Sequence, residues 1–323
     1  MDGILNINKP PGKTSFSIVA TVKRLTGERR VGHAGTLDPI ATGVLPVCLG
    51  QGTRITSFLV ETTKTYQAQV ELGIATDTYD ASGKITRQED PSGISQDKLE
   101  TALTPFRGLI RQTTPMYSAV KYQGKRLYEL ARAGIEVARE SRLTRIHQLK
   151  LIDWQPPVAT IEVVCDKGTY IRSLAHDLGQ ALGCGANLKG LIRLRCGIFD
   201  ISDAVSMPQL EDAFRHGYWQ QFVYPIDTVL SHWTAMIVSD EAGKSIRNGQ
   251  PLSLGSDDSG KKSRHLKQHP SARSPADNRC RVYTPDGRFL GVLRFNPERE
   301  QWQPEKIFQP SEANKATEPP LPG

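Results

Sequence analysis

Val31-Gly32-His33-Ala34-Gly35-Thr36-Leu37-Asp38-Pro39-Ile40-Ala41-Thr42-Gly43-Val44-Leu45-Pro46 holds one carboxylate, Asp38, and one imidazole, His33. Three glycines and two prolines exclude a long regular element here. Pro39 biases Asp38 toward an extended backbone, and Gly35 and Gly43 allow positive φ or close approach of another chain. Such a loop is stiff and can present a lone acid to a substrate. The competing reading is structural: an Asp before Pro commonly caps a turn through its side-chain oxygen. The loop alone does not choose between them.

Two other places carry groups fit for chemistry. In Tyr66-Gln67-Ala68-Gln69-Val70-Glu71-Leu72 the alternation predicts a strand, with Tyr66, Ala68, Val70 and Leu72 on its apolar face. By itself Tyr66 reads as a core tyrosine. Downstream, Ile171, Leu174, Ala175, Leu178 and Leu182 form one helical stripe, with Thr169 as the expected N-cap. Tyr170 and Arg172 then fall in the first turn. A cation there opposes the helix dipole, so Arg172 calls for an anionic partner. Gly12-Lys13-Thr14 lacks the upstream glycine of a phosphate-binding loop, and Asp77-Thr78-Tyr79-Asp80 lacks the ligand spacing of a calcium loop.

The elements that must position these groups are readable in outline. A short strand over Ile4–Asn8 precedes a Pro- and Gly-rich turn, and a helix over Ser17–Thr26 is stopped by Gly27. Further strands are predicted over Val44–Leu49, Arg107–Gln112, Arg142–Trp154, Val158–Cys165 and within Leu188–Ile201. Helices are predicted over Thr53–Val60, from Ser95 to Phe106, over Arg126–Ala133 and over Gln209–Phe214. From about Trp233 the texture becomes short β runs with a Pro285-Asp286-Gly287 hairpin turn. Residues 256–278 read as a disordered insertion and 311–323 as a disordered tail.

Composition narrows the partners. The chain has 323 residues, a net charge of +7 and 23% charged residues. The basic excess is concentrated: residues 107–150 carry ten basic residues against three acids, whereas 71–106 carry seven acids against three basic residues. A solvated face explains such a run as readily as a polyanion partner does. Five scattered cysteines without a C-x-x-C pair argue against a disulfide framework or a zinc site, and seven histidines show no metal spacing. The first residues lack a signal-peptide pattern and no apolar run reaches membrane length, so a cytoplasmic protein is expected.

Four stretches together resemble one family. Asn8-Lys9-Pro10-Pro11-Gly12-Lys13-Thr14-Ser15, Gly32-His33-Ala34-Gly35-Thr36-Leu37-Asp38-Pro39, Lys64-Thr65-Tyr66 with Leu72-Gly73, and Gly168-Thr169-Tyr170-Ile171-Arg172 follow the order and spacing of the bacterial tRNA pseudouridine-55 synthases, the TruB family. The resemblance covers about residues 3–230, and Ala34 stands where many relatives have Thr. It implies an α+β fold: a catalytic domain (1–230) around a mixed, largely antiparallel sheet with flanking helices, then a small PUA-like β domain (231–310). It also implies conversion of uridine 55 in the tRNA T-loop to pseudouridine, with no metal or organic cofactor. Asp38 would be the nucleophile, acting at the sugar carbon, at C6 of the base or on a sugar proton. Arg172 would keep it ionised, since a neighbouring cation lowers a carboxyl pKa.

The resemblance assigns the remaining roles too. The target base must be flipped out of the folded loop. His33 would fill the space it leaves, Tyr66 would stack on it and help remove the C5 proton, and Tyr170 and Leu194 would line the pocket. The basic 107–150 segment would hold phosphates. The partner is tRNA, with no membrane, no obligatory protein partner and a monomeric enzyme. Two alternatives compete: a non-catalytic RNA-binding helper on the same scaffold, and a guide-RNA-dependent relative. The joint presence of Asp38, Tyr66, Tyr170 and Arg172 argues against the first, and the lack of a long basic tail against the second.

Overall fold

The alternating Lys64–Leu72 segment forms a central strand of a large sheet, as its pattern requires. Ala68, Val70 and Leu72 are buried on one face, with Tyr66 half-buried beside them. The computed structural model describes residues 1–253 and 278–309. The expected insertion at 256–278, apart from Asn278, and the expected tail at 311–323 lie outside the described residues.

The sheet runs in the order Val205–Ser206, Gly3–Lys9, Thr42–Leu49, Ala186–Cys196, Lys64–Leu72, Val158–Cys165, Ser141–Gln155 and Gly108–Thr113. Val205–Ser206 pairs parallel with Gly3–Lys9, and Ala186–Cys196 with Thr42–Leu49, while the other junctions along this path are antiparallel. The sheet is therefore mixed and largely antiparallel, as expected. Ile171–Leu182 lays Ile171, Leu174, Ala175 and Leu178 on its buried face. That helix and Gln96–Leu103 bury apolar residues in the main core cluster.

Two local expectations need correction. Thr169 does not cap the helix: its hydroxyl donates to the Asp166 carbonyl and contacts Thr144 Oγ1, and Tyr170 occupies the N-cap position without a side-chain cap. The Leu188–Ile201 segment is not one strand. It turns at Gly197, so that Phe199–Asp200 folds back onto Ala186–Cys196.

The C-terminal part forms a separate five-stranded sheet in the order Thr234–Ile237, Arg279–Tyr283, Phe289–Asn296, Gln301–Ile307, Leu252–Ser253. The Pro285-Asp286-Gly287 turn joins its second and third strands, with Gly287 N–H donating to the Thr284 carbonyl at 2.9 Å. A helix over Asp240–Arg247 also packs there, which the β-like texture did not announce. Its signals were present: a Ser239 N-cap, Asp240 and Glu241 in the first turn, and Lys244 and Arg247 in the last. The Gln51 side chain ties this unit to the chain start. It donates to Asp2 Oδ2 at 2.8 Å and the Gln309 carbonyl at 2.7 Å, and accepts from Gln309 N–H at 2.8 Å.

Gly43 is one place where the fold has no room for a side chain. Its φ is +97°, and a Cβ would lie 2.3 Å from the Arg193 carbonyl oxygen across the parallel junction. Gly12 has a comparable φ of +74° but open space around its missing Cβ. Gly12→Ala should therefore cost only the left-handed conformation, about 1–2 kcal/mol. Gly43→Ala must also displace backbone and should lose clearly more in urea-monitored unfolding. Equal losses for the two variants would refute this reading.

Candidate active site

The Asp38 loop is held at three points. Leu37 is buried, its N–H donates to Ser15 Oγ at 2.8 Å, and Ser15 Oγ donates to its carbonyl at 3.1 Å. The Pro39 carbonyl accepts from Gly12 N–H at 2.8 Å and from Lys9 Nζ at 3.4 Å. Ala41 N–H donates to the Asp38 carbonyl at 3.0 Å, closing a turn with Pro39 at its second position. Asp38 thus sits in a turn, but the bond that closes it is made by its backbone carbonyl and not by the side-chain oxygen that the turn reading called for. Its side chain is left for other work.

That side chain meets Arg172. Arg172 Nε lies 2.8 Å from Asp38 Oδ2, with the Arg172 side chain only 6% exposed and that of Asp38 37% exposed. The cation is walled in while the carboxylate stays accessible. The rest of the guanidinium is also engaged: Nη1 donates to the Thr78 carbonyl at 3.3 Å and lies 3.8 Å from Asp80 Oδ2, and Nη2 donates to the Tyr117 carbonyl at 2.9 Å. The anionic partner demanded by a cation in the first helical turn is therefore Asp38, with Asp80 as a second.

Burial pushes the Asp38 carboxyl above the ordinary aspartate range. Arg172 pulls it down, Asp80 pushes it up and Lys9 pulls it down. The expected lowering by Arg172 exists, but desolvation outweighs it. Lys9 is itself buried, and burial lowers its ammonium to about 8. Its Nζ donates to the Lys13 carbonyl at 2.7 Å and the Pro10 carbonyl at 3.0 Å, which ties the turn before the first helix to the loop.

Tyr170 is fixed through its backbone. Its N–H donates to Gln112 Oε1 at 3.0 Å and its carbonyl accepts from Gln112 Nε2 at 3.2 Å. Burial raises its phenol, the Ser118 hydroxyl and Arg142 oppose that, and Asp38 is near enough to add to it. Beside Tyr170 lies a cavity of about 370 Å³ whose walls include Val60, Gln112, Arg142, Thr144 and Lys167.

Tyr66 and His33 gather around a group that sequence reasoning missed, Arg193. This side chain is 1% exposed. It donates from Nε to the Val44 carbonyl at 2.6 Å and from Nη2 to the Gly35 carbonyl at 3.0 Å, so it spans both flanks of the Asp38 loop. Tyr66 pairs with Arg193 across the strands. Burial pushes the Tyr66 phenol up to about 12 against the pull of Arg193, so the hydroxyl is neutral in the physiological range. Burial and Arg193 lower His33, whose Nδ1 is buried without a hydrogen-bond partner. Leu194 is the extra residue of a bulge between the Arg193–Tyr66 and Arg195–Thr65 pairs, a device that re-aims side chains.

Asp38, Arg172 and Tyr170 are thus brought together directly, and Arg193 links Tyr66 to the loop on which His33 itself stands. Missed by the sequence reading were Arg193, Lys9, Gln112 and Asp80. Lys9 lay inside a quoted motif, and Asp80 in a loop considered only for calcium. Of the ten basic residues in 107–150, Arg107 and Arg139 are tied into the fold, by Leu149 and Glu100 and by Thr114 and Glu136 respectively. The other eight are exposed.

Comparison with known proteins identifies the family of the chain. Residues 23–171 match the family described as TruB family pseudouridylate synthase (N terminal domain), and residues 172–231 match the tRNA pseudouridylate synthase B C-terminal domain. A Dehalococcoides mccartyi protein named tRNA pseudouridine synthase B is 41% identical over 309 residues, covering 95% of this chain and 97% of its own. A protein of the same name from Symbiobacterium thermophilum is 50% identical over 213 residues, covering 65% and 71%. A solved Cbf5-Nop10-Gar1 complex contains a chain with the same fold, at a TM-score of 0.69 and 24% identity, covering 95% of this chain and 85% of that one. The matched domains and the identity sustained along nearly the whole chain place this protein in the TruB family of pseudouridylate synthases.

Proposed function

We propose that this chain converts uridine 55 in the T-loop of tRNA to pseudouridine, with Asp38 as the nucleophile. The observation that carries the reading is the accessible Asp38 carboxylate, 2.8 Å from the walled-in Arg172 guanidinium, on a loop pinned from both sides. Isomerisation needs the base to leave its ribose at N1, rotate and rejoin through C5. A carboxylate that adds to the sugar carbon or to C6, or that takes a sugar proton, can begin this, and a rigid partner cation orients it without being consumed.

Other groups support the same reaction. Tyr66 offers a ring to stack on the flipped base and a neutral hydroxyl beside Arg193 for moving the C5 proton. Tyr170 and Leu194 complete the pocket, and His33 takes the place of the flipped base. Arg142 and Lys167 at the neighbouring cavity, with the exposed arginines and lysines of 107–150, suit the phosphates of an RNA. In this reading residues 1–230 are the catalytic domain, 231–310 add RNA contacts as a PUA-like module, and the enzyme works as a cytoplasmic monomer on tRNA alone. The alternative of a non-catalytic RNA-binding helper is disfavoured by the same ion pair, which binding alone does not require.

Three variants test the assignment. Asp38→Asn keeps the shape and removes the charge, so it should bind tRNA as well as wild type and form no pseudouridine in a single turnover. Substantial product, with deamidation excluded by mass spectrometry, refutes the nucleophile. Tyr66→Phe keeps stacking, worth roughly 1–3 kcal/mol per base, so affinity should hold while turnover collapses; undiminished turnover reduces Tyr66 to a stacking platform. The third concerns pH. Only the carboxylate acts, so the rate should fall as pH drops through the Asp38 pKa. Arg172 lowers that pKa, so Arg172→Gln should raise it and shift the acid limb of the single-turnover profile to higher pH. A limb that stays in place contradicts the coupling.

A further inference from the structure

Tyr79 and His176 have no role in the chemistry above, yet their rings stack with centroids 3.9 Å apart and planes at 19°. Tyr79 has a φ of +66°, in the left-handed region that bulky residues seldom adopt. His176 lies one helical turn beyond Arg172 in Ile171–Leu182, and its Nδ1 is buried without a hydrogen-bond partner. A strained backbone and an unsatisfied ring nitrogen persist only where the surroundings impose them.

The stack sits where it can act on Arg172. Tyr79 lies between Thr78, whose carbonyl accepts from Arg172 Nη1 at 3.3 Å, and Asp80, whose Oδ2 is 3.8 Å from the same nitrogen. The loop backbone is sewn to the sheet by Leu188 N–H to the Tyr79 carbonyl at 2.9 Å and Ala81 N–H to the Leu188 carbonyl at 3.0 Å. Asp80 Oδ1 is occupied within the loop by Thr78 Oγ1 at 2.7 Å and Ser82 N–H at 3.0 Å. These bonds hold the loop to itself and to a strand. The ring stack joins it to the helix that carries Arg172.

We propose that Tyr79 and His176 are positioning residues, whose stack sets the loop over residues 77–83 against the Ile171–Leu182 helix and so aims the Arg172 guanidinium at Asp38. The inference rests on the assignment of Asp38 and Arg172 to pseudouridine formation. The stacked ring faces do the work, and the imidazole's proton chemistry is not needed. Replacing His176 with another flat ring should therefore preserve function, while removing either ring should not.

The test measures single-turnover pseudouridine formation and tRNA binding for full-length His176→Ala, His176→Phe and Tyr79→Gly. His176→Ala should slow the chemical step about tenfold with tRNA affinity unchanged, as misplacement of a catalytic group does. His176→Phe should restore the rate. Tyr79→Gly is decisive against a merely structural role, because glycine suits the positive φ. It should leave thermal stability intact or raise it, yet slow the step as His176→Ala does. A wild-type rate in His176→Ala or Tyr79→Gly overturns the proposal, as does a His176→Phe variant as slow as His176→Ala. Wild-type protein that leaves tRNA uridines unchanged overturns the functional reading itself, and the inference falls with it.

Discussion

One buried guanidinium organises this site. Arg172 is enclosed, and a charge removed from water is tolerated only when its hydrogen-bonding groups find partners. It finds them in Asp38, in the Thr78 and Tyr117 carbonyls, and in the nearby Asp80. These belong to three separate loops, so satisfying one side chain draws those loops to the start of one helix. Losing a partner would leave part of this enclosed charge uncompensated, which is destabilising. The same interaction that orients the proposed nucleophile therefore also holds its surroundings together. Two carboxylates flank Arg172, and the buried Lys9 adds a second cation beside Asp38, which lessens the cost of keeping that carboxylate ionised.

The sheet supplies the rigidity behind this arrangement. The parallel junction between Thr42–Leu49 and Ala186–Cys196 brings Gly43 against the Arg193 backbone, and the Arg193 side chain then reaches the carbonyls of Gly35 and Val44. Arg193 holds the flanks of the loop, as Ser15 and Gly12 hold the residues beside Asp38. A proposed nucleophile on an irregular segment is thus tied to its surroundings on either side, which near-attack geometry demands.

Much of this was legible in the residues. Alternation exposed the Lys64–Leu72 strand, the apolar stripe exposed the Ile171–Leu182 helix, and an arginine placed against the helix dipole correctly called for an anion. The missing parts share a physical cause. Arg193 sits among alternating apolar and basic residues and looks like any surface arginine; its burial depends on a glycine in a distant strand. Gln112 and Asp80 act through backbone groups and partners about 60 to 90 positions away, for which local patterns carry no signal. Thr169 had the right chemistry for a cap, but Thr144 and Asp166 claimed its hydroxyl. The sign of the Asp38 shift was also beyond reach, because desolvation appears only once the chain has folded around it.

The most direct test of the whole account is nucleotide-resolution mapping of pseudouridine in an unmodified tRNA transcript incubated with the purified protein and no added cofactor. The account predicts complete conversion of uridine 55 in the T-loop, with the other uridines of the transcript left unchanged. Absence of any pseudouridine, or its formation at other positions while uridine 55 persists, would contradict it.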